Sequence, residues 1–310
     1  MHNIKLWSPN NKKTNLHKFI NQLDKSLNIK NYADLHNWSI KHKNEFWTNV
    51  WDFTNFVGEK KGKIFKSAPE FTNNKFFDEC KINYAENCLT RDDDDDAIIF
   101  HSEKKIKRNY SWRELKSAVL KFANYLKNNN IEKNDRIAAI LPNIPETVIS
   151  FLSTAQLGAI WSSCSSDFGK KAIIDRFKQI EPKVLLFSDY YFYNNKKVDT
   201  TKVIKDVIYN IPSIEKIILI PYEFNETDYQ LDFEYDNLYN ILQQEIEYSK
   251  FEKFNFNHPL YILYSSGTTG VPKCIVHSSG GALIQHKKEH VLHCDINESD
   301  RVFYFTTCGW

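Results

Sequence analysis

The residues best suited to chemistry form one continuous run, which begins in an apolar stretch at Tyr261 and ends at Lys273. Between these two residues lie six consecutive small residues, four with hydroxyls and two glycines, in the order Ser265, Ser266, Gly267, Thr268, Thr269 and Gly270. Glycine lets the backbone approach a phosphate closely, and hydroxyls, main-chain N–H groups and a lysine can all donate to phosphate oxygens. The run therefore predicts a loop that binds the phosphates of a nucleotide.

The spacing of this loop differs from that of the Walker phosphate loop. A Walker loop reads GxxxxGK[ST] and leads into a helix, whereas here Gly267 is followed by Gly270 and Lys273, and a strand pattern comes next. An ordinary P-loop NTPase is excluded on that ground. A turn without a ligand is the alternative, but such a turn requires neither this order of residues nor the Pro-Lys pair that completes it.

The elements that must position the loop alternate between short apolar strands and helices. Strands are predicted at 96–100, 106–110, 136–141, 184–187, 216–220, 261–264, 274–277 and 302–305. Helices are predicted after a capping box at Ser111 and Glu114, from Pro145 to Gly158, and near 169–180, 201–210 and 281–293. This alternation favours an α/β fold with a mainly parallel sheet covered by helices. Residues 222–256 fit the pattern poorly, and we interpret them as an insertion with one helix.

The N-terminal part of the chain has a different character. Asn, Lys and aromatic residues are frequent there, and the apolar residues over 31–52 follow a helical period. We expect a helical cap over 1–90 and an α/β domain over 91–310 that is incomplete at its C-terminus. The boundary falls at 91–96, where five consecutive Asp residues repel one another and stay hydrated. A metal site is the alternative, but carboxylates in a solvated turn are not held in a coordination shell.

Composition limits the class of protein. The chain of 310 residues is long enough for about two globular domains, and its net charge of +2 gives no general attraction to nucleic acid or an anionic membrane. The aromatic residues near the N-terminus lack the basic groove that base stacking needs. No apolar run approaches the ~18 residues of a membrane span. The six cysteines lack CxxC spacing and the N-terminus lacks a signal-peptide core, so we expect free thiols in a cytoplasmic protein.

Three other side-chain groups could do chemistry, and each has a plainer structural explanation. His286 and His290 share one helical face, but the HExxH order is absent, and packing is favoured over zinc binding. His277 could approach a nucleotide, although a hydrogen-bonded histidine at the end of a strand is favoured. Cys164 could be a nucleophile, but no histidine lies near it in the sequence. We assign no metal ligands.

The segment SSGTTGVPK closely resembles the phosphate loop of the adenylate-forming superfamily, which includes acyl-CoA synthetases, luciferases and the adenylation domains of peptide synthetases. Other segments narrow the resemblance to the acetoacetyl-CoA synthetase family, namely KLWSPN, HNWSIKHKNEFW, NYAENCL, LPNIPETVISFLSTAQLGAIWSSCSSDFG, RFKQIEPKVLLFSD, HSSGGALIQHKKEHVLHCD and TTCGW. These segments span nearly the whole chain. Ser166 stands where the family pattern has proline, a departure confined to a local turn.

This resemblance implies an acid–thiol ligase that works in two steps. Acetoacetate attacks the α-phosphate of ATP to give acyl-AMP and pyrophosphate, and the thiol of coenzyme A then displaces AMP. The resemblance assigns the ATP phosphates, with Mg²⁺, to Ser265, Ser266, Gly267, Thr268, Thr269, Gly270 and Lys273. Within this set Thr268 and Lys273 are the predicted catalytic residues, and Trp310 is predicted to line the acyl pocket. The implied partners are small molecules, and the oligomeric state stays open.

The resemblance also implies that the chain is the N-terminal portion of a longer enzyme. In that family the acidic Mg²⁺ ligand, the Asp that holds the ribose, a hinge and a catalytic Lys all lie further along the chain. A strand over 302–305 with nothing after it would leave an apolar edge exposed. We therefore expect the 310-residue chain alone to be poorly soluble and catalytically inactive. A synthetase for acetate or propionate, and an inert nucleotide-binding module, remain the alternatives.

Overall fold

The computed structural model describes residues 13–226, 229–245, 250–265 and 270–309. The helices in these residues are α1 (Asn15–Gln22), α2 (Tyr32–Lys41), α3 (Lys43–Phe53), α4 (Tyr84–Cys88), α5 (Trp112–Asn128), α6 (Pro145–Gln156), α7 (Lys170–Phe177), α8 (Thr201–Asn210), α9 (Leu238–Gln243) and α10 (Ser279–Lys288). The strands are β1 (Phe65–Lys66), β2 (Lys75–Phe76), β3 (Lys81–Ile82), β4 (Asp96–His101), β5 (Lys107–Ser111), β6 (Arg136–Ile140), β7 (Ile160–Cys164), β8 (Val184–Ser188), β9 (Tyr190–Tyr193), β10 (Lys196–Asp199), β11 (Lys216–Ile220), β12 (Asp236–Asn237), β13 (Phe254–Asn255), β14 (Pro259–Ser265) and β15 (Lys273–Ser278).

Two compact units make up the chain. The first unit comprises Met1–Cys80, Asn255–Asn257 and Gly280–Tyr304. The second unit comprises Lys81–Phe254, His258–Ser279 and Phe305–Trp310. Among the described residues, every helix is too short or too polar to span a bilayer.

Aromatic rings form the core of the first unit. The ring centroid of Trp51 lies 4.1 Å from that of Phe56 and 5.1 Å from that of Phe77. Phe256 stacks on Phe77 at 4.6 Å between centroids. Large rings bury much apolar area and prefer such offset contacts, so this stack holds the small unit together.

The second unit is built around a sheet that has seven strands within the described residues, in the order β12-β11-β8-β6-β7-β14-β15. All neighbouring pairs from β12 to β14 are parallel, and β15 is antiparallel to β14. The central strands β6 and β8 are buried, and their register places Ile137 beside Val184 and Ala139 beside Leu186. Strands buried on both faces are typical of parallel sheets covered by helices. The predicted α/β fold class is confirmed.

Helices α7 and α8 cover one face of this sheet. Their buried side chains, Ile173, Phe177, Ile204 and Val207, share one apolar cluster with strand residues such as Phe187. The predicted capping box opens α5, because the Ser111 hydroxyl accepts the N–H of Glu114 and the Glu114 carboxylate accepts the N–H of Ser111. Each cap satisfies an N–H group that has no partner inside the helix.

Most predicted elements are found within three residues of their expected bounds, and three differences have a physical cause. The helical period over 31–52 belongs to two helices, because His42 between them has a non-helical backbone with φ −118° and ψ 59°. Strand β7 was not predicted, since its sequence IWSSC is half polar. The predicted strand at 302–305 is wrong: these residues are exposed and pair with no strand in the described part of the chain, and a strand exists only where a neighbour completes its hydrogen bonds.

Candidate functional site

The predicted phosphate loop joins the antiparallel strands β14 and β15. Ser265, the last residue of β14, pairs in register with Lys273, the first residue of β15. The structure therefore brings the two ends of the loop together. Gly270 has φ +97°, a backbone conformation that L side chains rarely adopt, and no other atom crowds the position of a Cβ there. The loop residues Ser266, Gly267, Thr268 and Thr269 lie outside the described residues.

The loop leaves the sheet at the carboxyl end of β14. Because β8, β6, β7 and β14 are parallel neighbours, their carboxyl ends share one edge of the sheet. In open α/β sheets, ligands bind in the crevice outside the carboxyl ends of the strands. The position of the loop therefore suits a ligand that lies across the ends of β6, β7 and β14.

Contacts from β7 hold the end of β14 that leads into the loop. The Ser162 Oγ lies 2.9 Å from the carbonyl oxygen of Ile262 and 3.0 Å from the Tyr264 hydroxyl. The Arg176 guanidinium lies over the Tyr264 ring, 5.7 Å from its centroid. Burial raises the pKa of Tyr264 well above its usual value, so this hydroxyl stays neutral at physiological pH. These contacts fix the direction in which the chain enters the loop.

The other end of the loop is fastened by a residue just beyond α7. The Gln179 Nε2 donates to the carbonyl oxygen of Pro272 at 2.9 Å and to that of Asp175 at 2.7 Å. The Cys274 Sγ lies 3.7 Å from the Gln179 Oε1. Sequence reasoning gave Gln179 no role, although it belongs to the segment RFKQIEPKVLLFSD that carries the family resemblance. A contact between residues 93 positions apart leaves no local signal in the sequence.

The charge of the loop suits an anion. Lys273 is exposed at the start of β15, and the described segments on either side of the loop, 259–265 and 270–279, contain no Asp or Glu. These segments therefore supply no carboxylate to hold Mg²⁺, which proteins usually bind through one or two carboxylates together with substrate phosphates. His277 packs against the Tyr261 ring at 4.9 Å between centroids.

Residues near the end of the chain lie across the carboxyl ends of β6 and β7. The Asn143 Nδ2 donates to the carbonyl oxygen of Thr306 at 2.5 Å, and the Cys308 Sγ lies 2.9 Å from the Asn143 Oδ1. The Ser163 hydroxyl donates to the carbonyl oxygen of Cys308. These contacts place 306–309 beside the crevice. Trp310, the predicted acyl-pocket residue, lies outside the described residues.

The thiols at this edge are not suited to nucleophilic chemistry. Burial raises the pKa of Cys164 to about 12 and the pKa of Cys308 to about 11. Because the thiolate is the nucleophilic form of cysteine, neither thiol is activated at neutral pH. The alternative of a Cys164 nucleophile therefore has no support from its surroundings.

The other candidate side chains contact one another or neighbouring basic groups. The described residues bring together no group of three or more His, Cys, Asp or Glu that could hold a metal ion. The rings of His286 and His290 stack at 6.1 Å between centroids. In the aspartate run, Asp93 pairs with Arg91 at 2.7 Å and Asp92 with Lys116 at 3.0 Å. These acids neutralise neighbouring basic side chains.

A cavity of about 800 Å³ lies at the amino end of β11, away from the loop. Its acidic lining residues are Glu215, Glu226, Glu234 and Asp236. The Asp236 carboxylate accepts hydrogen bonds from the Tyr125 hydroxyl at 2.5 Å and from the Lys216 ammonium at 2.8 Å. An acidic lining repels phosphates, so the loop remains the better candidate for a nucleotide site.

The chain is similar to known proteins over most of its length. Residues 85–310 match the model of the protein family described as AMP-binding enzyme. The chain is 40% identical over 292 residues to an acetoacetyl-coenzyme A synthetase of Rhizobium meliloti (strain 1021), a match that covers 90% of this chain and 43% of that protein. It is 36% identical over 325 residues to an acetoacetyl-CoA synthetase of Xenopus tropicalis, covering 98% of this chain and 48% of that protein.

A solved structure has the same fold. The acetoacetyl-CoA synthetase from Streptomyces lividans is similar to this chain with a TM-score of 0.88 at 32% sequence identity. The match covers 96% of this chain and 46% of that chain. This chain therefore spans less than half the length of the relatives named here.

Proposed function

The chain belongs to the AMP-binding enzyme family, and we propose on that basis that it acts in the ligation of acetoacetate to coenzyme A. One observation carries this proposal. A strand–loop–strand unit rich in hydroxyls and glycine stands at the carboxyl edge of a parallel sheet, in a chain similar over 90% or more of its length to acetoacetyl-CoA synthetases. Since the chain spans less than half of those proteins, the activity proposed is that of the whole enzyme.

The proposed reaction has two balanced steps. In the first step, a carboxylate oxygen of acetoacetate attacks the α-phosphorus of ATP, the bond to the β-phosphate oxygen breaks, and pyrophosphate leaves. In the second step, the sulfur of coenzyme A attacks the acyl carbon, the bond to AMP breaks, and the thiol proton is released. The products are acetoacetyl-CoA, AMP and pyrophosphate. Mg²⁺ bound to the phosphates would offset their charge during the first step.

The loop has the role of holding the phosphates of ATP. We assign this role to Ser265, Ser266, Gly267, Thr268, Thr269, Gly270 and Lys273. Negative charge grows on the departing pyrophosphate, and donors fixed in advance stabilise it without reorganisation. Lys273 and Thr268 would contribute most, since a cation and a hydroxyl both bind phosphate oxygens directly. The contacts of Ser162 and Gln179 support the assignment, because they fix both ends of the loop.

The acyl group would lie beside residues 306–309, with Trp310 lining its pocket. Asn143 and Ser163 hold this segment at the ends of β6 and β7, next to the strand that leads into the loop. A carboxylate bound there would approach the α-phosphate from the side of β7.

We also propose that the chain divides into a helical cap over 1–90 and an α/β domain over 91–310. We propose a cytoplasmic location because all six cysteines are free thiols.

A completed chain tests the proposed function. We define the completed chain as these 310 residues joined to the part of the Rhizobium meliloti relative that lies outside the match. Given ATP, Mg²⁺ and coenzyme A, it should form acetoacetyl-CoA at least tenfold faster than acetyl-CoA or propionyl-CoA, as measured by mass spectrometry. The added part alone serves as the control and should form no product. A preference for acetate or propionate would replace the proposed substrate.

A further inference from the structure

A fully buried acid, Glu146, lies in the first turn of α6, outside the proposed phosphate loop. Its side chain is 0% exposed. Arg108 on β5 donates from Nη1 to Glu146 Oε1 at 2.5 Å and from Nη2 to Glu146 Oε2 at 3.0 Å. The Tyr110 hydroxyl, also on β5, donates to Oε1 at 2.9 Å. These hydrogen bonds offset the cost of burying a carboxylate, and we call the three residues the Glu146 cluster.

The Glu146 cluster joins three elements at the carboxyl edge of the main sheet. Besides linking β5 to α6, Arg108 donates from Nη2 to the carbonyl oxygen of Tyr222, just after β11, at 3.3 Å. Its guanidinium lies over the rings of Phe100 and Phe224, 5.1 Å and 5.5 Å from their centroids. A guanidinium that is bidentate to a carboxylate and stacked on rings has little freedom to move. The cluster therefore fixes the first turn of α6 relative to β5 and β11.

The turn that joins β6 to α6 is bonded to this fixed helical turn. The Thr147 hydroxyl in the first turn of α6 donates to the carbonyl oxygen of Pro142 at 2.8 Å. The Ile144 N–H donates to the same oxygen at 2.9 Å. Asn143 lies between Pro142 and Ile144 and is exposed on the crevice side. The start of α6 therefore sets the position of the Asn143 side chain.

Asn143 in turn holds the segment 306–308 beside the crevice. Its Nδ2 donates to the carbonyl oxygen of Thr306, and its Oδ1 lies 2.9 Å from the Cys308 Sγ. A continuous series of hydrogen bonds thus leads from the buried carboxylate of Glu146 to the segment beside which we place the acyl group.

The proposed phosphate loop is held by a different set of contacts. Ser162 on β7 fixes the strand that enters the loop, and Gln179 just beyond α7 fixes the strand that leaves it. These contacts share no residue with the Glu146 cluster or with the turn at Asn143. A change in the cluster should therefore disturb the acyl side of the crevice and leave the phosphate side in place.

We propose that Arg108, Tyr110 and Glu146 are positioning residues for the acyl substrate. Through Asn143 they set the place of 306–308, and with it the fit of acetoacetate beside the α-phosphate. They act through this segment rather than by touching the substrate. The inference rests on the proposed function for the identity of the substrate.

Labelling of Cys308 tests the placement of the segment without measuring activity. In the completed chain, Glu146→Gln removes the charge that binds Arg108, so 306–308 should shift and the part-buried Cys308 should open to solvent. Its rate of alkylation by iodoacetamide, followed by mass spectrometry, should rise at least fivefold. The rate at Cys274, beside the phosphate loop, should stay the same and serves as the internal reference.

Steady-state kinetics test the effect on the substrate. In the completed chain, Glu146→Gln should raise the KM for acetoacetate at least fivefold and leave the KM for ATP within twofold of the parent value. Asp135→Asn is the matched control, because Asp135 pairs with Lys183 at 3.3 Å at the opposite, amino ends of β6 and β8. It should lower the urea midpoint and change neither KM nor the labelling of Cys308.

A double-mutant cycle tests whether the cluster acts through Asn143. Asn143→Ala should itself raise the KM for acetoacetate. Combined with Glu146→Gln it should raise this KM no further than the larger of the two single changes, because both remove the same support. Fully additive effects would overturn the proposal.

A milder variant keeps the proposal testable if Glu146→Gln does not fold, since breaking a buried ion pair can be strongly destabilising. Tyr110→Phe removes one hydrogen bond from the cluster and should raise both the labelling of Cys308 and the KM for acetoacetate at least twofold. The proposal is overturned if the folded variants label Cys308 at the parent rate. It is also overturned if the KM values for acetoacetate and ATP rise equally.

The two readouts separate this inference from the proposed function. Labelling of Cys308 that rises in Glu146→Gln and not in Asp135→Asn, in a completed chain that forms no acyl-CoA, would uphold the positioning of 306–308 and contradict the ligase. Formation of acetoacetyl-CoA with unchanged labelling of Cys308 in Glu146→Gln would uphold the ligase and contradict the positioning role.

Discussion

At the residue scale, phosphate binding depends on the balance of charge around the loop. Lys273 is the cation of the loop itself, and the described flanking segments carry no acidic residue to neutralise it. A charge-assisted hydrogen bond to phosphate is worth about 1.5–3 kcal/mol. One side chain can therefore change the rate of the first step by one to two orders of magnitude without changing the fold.

Replacement of Lys273 should affect the two half-reactions unequally. In the completed chain, Lys273→Ala should slow adenylation by roughly 10- to 100-fold, because about 1.4 kcal/mol corresponds to a factor of ten. Thioester formation from supplied acetoacetyl-AMP should change far less, since pyrophosphate takes no part in it. Lys171→Ala, which removes an exposed lysine on α7, is the control. An equal loss in both steps would refute the assigned role.

His258 predicts a pH dependence of stability. Its Nε2 donates to the Gly158 carbonyl oxygen at 2.7 Å, and burial lowers its pKa below the usual 6.5. A lowered pKa in the folded state means that the unfolded chain binds the proton more tightly, so stability is lost as the pH falls below 6.5.

Urea unfolding at pH 7.5 and pH 5.5 tests this effect. As the pH falls, the free energy of unfolding of the parent chain should decrease by up to about 1.4 kcal/mol per pH unit more than that of His258→Gln. The amide of this variant can donate the same hydrogen bond without titrating. If the difference in stability between the two chains is the same at both pH values, His258 is not the titrating group.

At the element scale, the turn between α6 and β7 sets the position of a strand that supports the loop. Gly158 in this turn has φ +67°, and a Cβ added to it would lie 2.7 Å from the Phe254 ring. Gly158→Ala should destabilise the chain by about 1–3 kcal/mol, through backbone strain and displacement of the ring. Gly169→Ala is the matched control, because a Cβ there meets no atom within 4 Å, and it should cost under about 1 kcal/mol. Equal urea midpoints for the two variants would contradict this reasoning.

Gln179 links α7 to the outgoing end of the loop. Gln179→Leu removes the donor to the Pro272 carbonyl oxygen, so the amides of 270–274 should exchange faster with solvent. In the completed chain the KM for ATP should rise several-fold while the KM for coenzyme A stays constant. Gln179→Asn has the same amide on a shorter side chain. Its hydrogen exchange and its KM for ATP should lie between those of the parent chain and those of Gln179→Leu. Unchanged hydrogen exchange at 270–274 would contradict the claim that Gln179 holds the outgoing end of the loop.

The sequence predicted elements wherever local patterning is strong. Strands β6, β8 and β11 are continuous apolar runs, and the capping box of α5 is a local signal. Strand β7 could not be predicted because Ser162 is polar but buried. Its hydrogen-bond partner, the carbonyl oxygen of Ile262 on β14, lies 100 residues away in the sequence. The turn from β14 into β15 could be predicted from its own residues, and its role in binding phosphate stays a prediction. The contacts of Gln179, Asn143 and Ser163 could not, because they depend on tertiary neighbours.

At the scale of the whole molecule, two segments of the chain expose several apolar side chains. The apolar residues of β15 and of 302–305 are open to solvent, and the match spans less than half of the relatives. The 310-residue chain alone should aggregate at concentrations where the completed chain stays monodisperse, as measured by light scattering. It should also release no acetoacetate-dependent AMP. Turnover by the chain alone would contradict this expectation.

The most direct test of the central claim is acetoacetate-dependent exchange of labelled pyrophosphate into ATP by the completed chain. This exchange reports adenylation alone, because it requires reversal of the first step without coenzyme A. The exchange should need acetoacetate and should fall at least tenfold in Lys273→Ala. Exchange that is independent of acetoacetate, or that is unchanged in Lys273→Ala, would contradict the assignment of this loop to the ATP phosphates during adenylation.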